Sequence, residues 1–174
     1  MAVVNSTLID AAGGVFSVLG VVSIRLFSSY RWNGKDIDYP EARGSVFYAY
    51  EDPPTVSVAS ISVVDISGDD SEPDISLIQS NDVPAIDMIL KSSISKQMNV
   101  IRWMSSHLNE ANGHKGLVTA YITASQNAEW QYIAIRTNHS GRRYVIAGMF
   151  DVAKATPLAK LVSDSLGSVS FKPF

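Results

Sequence analysis

Three histidines, one acidic stretch and one adjacent pair of arginines are the groups in this chain whose types can do chemistry. A zinc site wants histidines at i, i+4 spacing or in an H-x-H pair beside a further ligand. His107, His114 and His139 stand in neither arrangement. His114 and His139 fall in turn sequences, and His107 falls near the end of a strand. Carboxylates recur at Asp65, Asp69, Asp70, Glu72 and Asp74. An EF-hand loop spaces its ligands at fixed alternate positions, with a glycine at the sixth and a distal glutamate. The stretch Asp65–Asp74 has no such order and reads as a solvated, flexible acidic loop. A general acid needs a carboxyl raised in pKa by apolar surroundings, and these carboxylates have no apolar run beside them. No serine stands in a G-x-S-x-G elbow. The chain has no cysteine, which excludes thiolate nucleophiles, thiolate metal sites and disulfides. The expectation is a protein with no catalytic residue, no metal and no cofactor.

The remaining candidates are groups that bind. Tyr30, Trp32 and Tyr39 fall in the polar segment Ser28–Gly44, with Tyr48 and Tyr50 close behind. Exposed aromatic rings in a loop anchor protein partners, because they bury much area at little rotamer cost. The alternative is that they cover one open face of a sheet. In His139–Arg143 the text HSGRR places Arg142 and Arg143 at a hairpin, with Arg136 on the strand before it. The pair suits a small anion or an acidic partner, or else ordinary charged protection of a hairpin edge. Asn5-Ser6-Thr7 and Asn138-His139-Ser140 match the glycosylation acceptor pattern, which short sequences match by chance.

Composition bounds the rest. A chain of 174 residues is one domain, 1–174, with enough material for a core. Its formal net charge of -3, without a basic stripe, argues against nucleic acid as a partner. The uncharged run Ala11–Ile24 is too short to span a bilayer and is interrupted by Gly13, Gly14 and Gly20. Its first basic residue, Arg25, follows the apolar run, whereas an export signal has basic residues before it. The compartment stays open between the cytoplasm and, after removal of a signal, the periplasm.

Periodicity supplies the elements that must position these groups. Thr7–Ala12 and Val15–Leu19 read as a hairpin around Gly13-Gly14, and Val21–Phe27 as a strand. Val46–Tyr50 is a strand ended by Pro53-Pro54. Val56–Ile66 alternates imperfectly, which implies burial on both faces or a bulge near Ser60. Pro84 opens a helix whose apolar stripe is Ile86, Ile89, Leu90, Ile94 and Met98. Val100–Leu108, Leu117–Thr123, Trp130–Thr137 and Tyr144–Phe150 are strands, with turns at Asn112-Gly113 and at Asn138–Arg142. Thr156-Pro157 reads as N-cap and first residue of a second helix, striped by Leu158, Leu161, Val162 and Leu166 and stopped by Gly167. The two helical stripes are expected against one and the same sheet face. The order is strands, helix, four strands, helix: an α+β fold with a largely antiparallel sheet packed with two main helices.

The text NGHKGLVTAYI from Asn112, and RRYVIAGMFDVAKATPLAKLVSDSLGSVSF from Arg142 to Phe171, resembles the PsbP proteins of photosystem II and the bacterial DcrB-like proteins. In both families a strand leads into a closing helix, here ending on Ser165-Leu166. The resemblance covers Pro84–Phe171 and rests on apolar positions. It implies a PsbP/DcrB-like sandwich. It implies no site residue, since members serve as assembly factors, binding modules, lipoproteins and chaperones for secreted effectors. The functional expectation is a bacterial, non-enzymatic protein-binding or assembly module acting through a sheet face and loops, with Tyr30, Trp32, Tyr39, Arg142 and Arg143 as the partner-binding candidates. The alternative is a self-associating structural subunit of a larger assembly such as a secretion machine or virus particle, and the third reading, ranked below both, is an enzyme with an unrecognised site.

Overall fold

The computed structural model describes residues 6–9, 14–26, 30–51, 56–111 and 114–172. Six strands come first: β1 (Ser6–Ile9), β2 (Gly14–Val18), β3 (Val22–Leu26), β4 (Arg31–Asp38), β5 (Arg43–Tyr50) and β6 (Ser57–Asp65). Helix α1 (Val83–Ser95) follows, then β7 (Val100–Ala111), β8 (His114–Ala124), β9 (Glu129–His139) and β10 (Arg142–Asp151). Helix α2 (Ala155–Gly167) and a two-residue strand β11 (Ser170–Phe171) close the chain. The fold is α+β, and strands, helix, four strands and helix follow one another as the periodicity implies. An eight-stranded antiparallel sheet runs β1-β4-β5-β6-β10-β9-β8-β7, and a three-stranded one runs β11-β3-β2. No helix among the described residues is long and apolar enough to cross a membrane.

Local chemistry sets the turns. Ser140 and Gly141 both have positive φ (50° and 74°), so a two-residue turn matches the twist of β9 and β10. Leu19 and Gly20 do the same between β2 and β3 (55° and 72°). That moves the first hairpin. β2 pairs with β3, whereas β1 leaves for the other sheet and pairs with β4. Gly13, Pro53-Pro54 and Asn112-Gly113, expected at turns, lie outside the described residues. Of the irregular segment expected over Ser28–Gly44, residues 28–29 lie outside the described residues, and from Arg31 it is β4, a turn at Tyr39–Ala42 and the start of β5. Asn33, Gly34, Lys35 and Asp36 have poor strand propensity, but pairing with β5 through a continuous register overrides it. The expected irregularity in β6 falls at Val58, between the pairs Ala49↔Ala59 and Tyr50↔Ser57, rather than at Ser60. The second helix begins on Ala155, after a 3-10 turn capped by Asp151, so Thr156 and Pro157 lie inside its first turn.

The core divides in two. The main cluster joins β3, β4, β5, β6, β10 and α2 through Ile24, Trp32, Phe47, Ile61, Phe150 and Leu158. Gly148 lets α2 approach β10 closely, because a Cβ there would collide with Val162. The second cluster joins α1 and its lead-in to β8 through Ile75, Ile78, Val83, Leu90 and Leu117. Leu117 faces α1, whereas its neighbours Gly116 and Val118 share a groove with residues of α2. Adjacent strand residues point to opposite faces. The two helices therefore cover opposite faces of the large sheet, not one face as their stripes had suggested. α2 lies over β6 and β10, and α1 over the β7 edge.

Candidate functional site

Trp32, expected in an exposed loop, is 1% exposed in the middle of the main core. Its position on β4 points it inward opposite Ala49, whose small side chain leaves room for the indole. Trp32 is thus removed from any partner surface. Tyr30 is half-buried against the same core. Tyr39 is exposed in the β4–β5 turn, about 25–30 Å away at strand rise. The structure does not bring these three rings together.

The anion that the arginines meet is the chain's own acidic loop. Arg142 donates to Asp65 Oδ2 at 2.7 Å. Arg143, on the opposite face, donates to the Glu72 and Ser67 carbonyls at 2.7 and 3.1 Å. Arg136 forks Glu72, with Nε to Oε2 at 2.8 Å and Nη2 to Oε1 at 3.4 Å. Three D-x-S turns stiffen the loop further: Asp65, Asp69 and Asp74 each accept from the backbone N–H and the hydroxyl of the serine two residues on. The stretch is fastened to β9 and β10 instead of hanging free in solvent. Burial disfavours the ionised form of Asp65, yet Ser67 and Arg142 outweigh it and hold the carboxyl below its ordinary 3.8. The serine hydrogen bonds do the same for Asp69 and Asp74. Carboxylates lowered in the folded state stabilise it above their unfolded pKa, and that stabilisation is lost as the pH falls through the folded values. The melting temperature is therefore expected to hold from about pH 7 to about pH 5 and to fall below about pH 3.8. Asp65→Asn should lose part of that acid-side slope in a pH series of thermal melts.

Helix α1 is apolar on two sides. Its inner side carries Val83, Ile86 and Leu90, and Asp87 stands among them. The Asp87 carboxylate accepts from Trp103 Nε1 at 2.9 Å, Ser106 N at 3.2 Å and Ser106 Oγ at 2.5 Å, where β7 bulges between Met104 and His107. This polar bolt fixes the rotation of the helix. Beneath it Trp103, Tyr121 and Tyr132 stack across three strands, with centroids 5.4 and 5.0 Å apart. Burial, and next the neighbouring Tyr132, push the Tyr121 phenol up to about 12. The outer side of α1 carries Pro84, Ala85, Met88 and Ile89, all exposed; Met88 is 74% and Ile89 64% exposed. In the lead-in, Leu77 is 77% exposed. Ile89, expected in the core, faces solvent because Asp87 and Leu90 take the sheet side.

On the other face, α2 stops short of β7, β8 and β9. A half-open groove of 460 Å³ remains between these strands and the end of α2. Val118, Ile133 and Ile135 form its floor, Leu166 a wall, and His107 and His114 stand at its rim. Phe171 closes one end. Its ring lies 4.5 Å from His139, 4.9 Å from His114 and 5.3 Å from Tyr144, spanning three strands. His114 and His139, distant in sequence, thus meet against Phe171, and His107 lines the same groove. Sequence spacing carries no sign of this, because the convergence is made across strands. Asp87 did leave a signal: a carboxylate embedded in an apolar helical stripe.

No family model and no curated protein sequence matches the chain. In three dimensions it is similar to the solution structure of cyanobacterial PsbP (CyanoP) from Synechocystis sp. PCC 6803. The TM-score is 0.64 at 15% identity, covering 93% of this chain and 94% of that one. The fold is PsbP-like. A second likeness is to PA94 from Pseudomonas aeruginosa, a protein of unknown function described as a putative regulator. There the TM-score is 0.51 at 8% identity, over 94% of this chain and 100% of that one. At these identities the shared property is the PsbP-like path of the backbone, and no side-chain role transfers with it.

Proposed function

We propose that this chain is a non-enzymatic accessory module that binds another protein. The observation that carries the reading is the outer side of α1, where Met88 and Ile89 stand in solvent on a helix already anchored by its inner side. A surface helix normally turns its polar face outward. An apolar outer stripe on a fixed helix suits docking into a partner's groove, with methionine as the adaptable element. The lack of a G-x-S-x-G elbow and of cysteine in the sequence is consistent with binding as the activity. The PsbP-like fold is compatible with an accessory role and does not select the partner.

The test is a double substitution, Met88→Lys with Ile89→Lys. Both side chains are exposed, so stability should change by no more than about 0.5 kcal/mol. Affinity for a partner captured from the native cells should fall by about 2 kcal/mol or more. Capture at undiminished affinity would overturn the assignment to α1. Light scattering of the same pair of proteins distinguishes self-association: a concentration-dependent oligomer that the substitutions dissolve makes the partner a second copy.

A further inference from the structure

We propose that the groove between α2 and strands β7–β9 is a binding site for a free aliphatic monocarboxylic acid, its tail on Val118, Ile133, Ile135 and Leu166 and its carboxylate at the rim formed by His107, Asn109 and His114. The proposal is independent of the α1 docking face, which lies on the other side of the sheet.

Size and lining support it. The volume of 460 Å³ falls in the range of about 300–1,000 Å³ usual for small-molecule sites. The floor is aliphatic and only half-buried, although it belongs to strands paired on both sides, so a ligand tail would complete a burial that α2 leaves unfinished. Among the described residues no aspartate or glutamate lines the groove, whereas two imidazoles and one carboxamide do. In a chain of net charge -3 that distribution is uneven in the direction an anion requires. The end of α2 also borders the groove, and its carbonyls would oppose an anion. They are already engaged, Ser165 O by Ser168 N and Oγ, and Leu166 O by Val169 N. With Phe171 closing one end, the groove suits a molecule with one polar terminus better than a peptide running through it.

The experiment is a calorimetric titration of the full chain with decanoate, kept below its micelle concentration, beside 1-decanol and octanoate. Decanoate should bind one to one. Octanoate, two methylenes shorter, should bind about tenfold more weakly, and decanol, lacking the charge-assisted hydrogen bonds, also about tenfold more weakly. His107→Ala with His114→Ala should remove the preference for decanoate over decanol. Ser163→Trp, an exposed α2 position bordering the groove, should weaken both ligands without affecting folding. Equal affinity for decanoate and decanol, or decanoate binding that Ser163→Trp leaves intact, would overturn the proposal. So would an absence of decanoate binding alongside co-sedimentation with phosphatidylglycerol vesicles.

Discussion

Trp32→Ala is expected to lower the unfolding free energy by about 3–5 kcal/mol, enough to remove much of the stability of a domain this size. The indole is fully buried, and it joins β4 to the main cluster that α2 and the small sheet complete. Deleting it leaves a cavity that the paired strands on either side cannot collapse around, since β4 is held in register by β1 and β5. The indole Nε1 finds no acceptor among the described residues. Trp32→Phe therefore discards an unmet donor along with some area and should cost clearly less than Trp32→Ala. Urea melts of the two variants check this. A Trp32→Ala midpoint within error of the unsubstituted protein would mean that β4 is not packed as described.

Glu72→Ala is expected to cost about 3 kcal/mol, far more than a surface charge deletion. The Arg136 side chain is 8% exposed and Glu72 21% exposed. Arg136 Nη1 has no hydrogen-bond partner among the described residues, and Nε and Nη2 bond to Glu72, so removing the carboxylate strands a guanidinium in a nearly dry site. Replacing both residues, Arg136→Met with Glu72→Met, should recover most of the loss, because two apolar side chains of similar length carry no desolvation penalty. Glu72→Gln keeps one acceptor oxygen for Arg136 but loses the charge and the second acceptor, and should fall between. Denaturant melts at about 0.05 and about 1 M salt make the distinction sharper. A buried pair is screened little, whereas a cost that vanishes in high salt would place the pair at the surface.

Legibility followed the range of the interaction. Each of β7 to β10 shows alternation over enough residues for its own text to state its period, and Ser140-Gly141 supplies the turn geometry locally. β4 does not. Its central Asn33-Gly34-Lys35-Asp36 has the composition of a loop, and only the hydrogen bonds it shares with β5 and β1 make it a strand. The inward direction of Trp32 follows from that pairing, which is why an aromatic residue in polar surroundings read as a surface anchor. Ile89 failed differently. A helical stripe says which residues lie together, but Ile86, Ile89 and Leu90 are too close in angle for spacing to choose the buried one. The hydrogen bonds that Asp87 accepts from Trp103 and Ser106 make that choice.

By itself, then, the sequence determined the α+β class, the order of elements, the ends of the helices to within a few residues, and the absence of any motif for covalent or metal chemistry. These depend on periodicity, caps and turn residues, which act over a few positions. Tertiary structure alone decided which face each helix covers, that the acidic loop is tied down by Arg136, Arg142 and Arg143, and that His114, His139 and Phe171 meet beside an apolar groove that His107 also lines. Those contacts join residues from separate strands and loops, many of them far apart in the chain. Strand order sets them, and strand order is fixed by the burial of the whole sheet rather than by any local stretch of text.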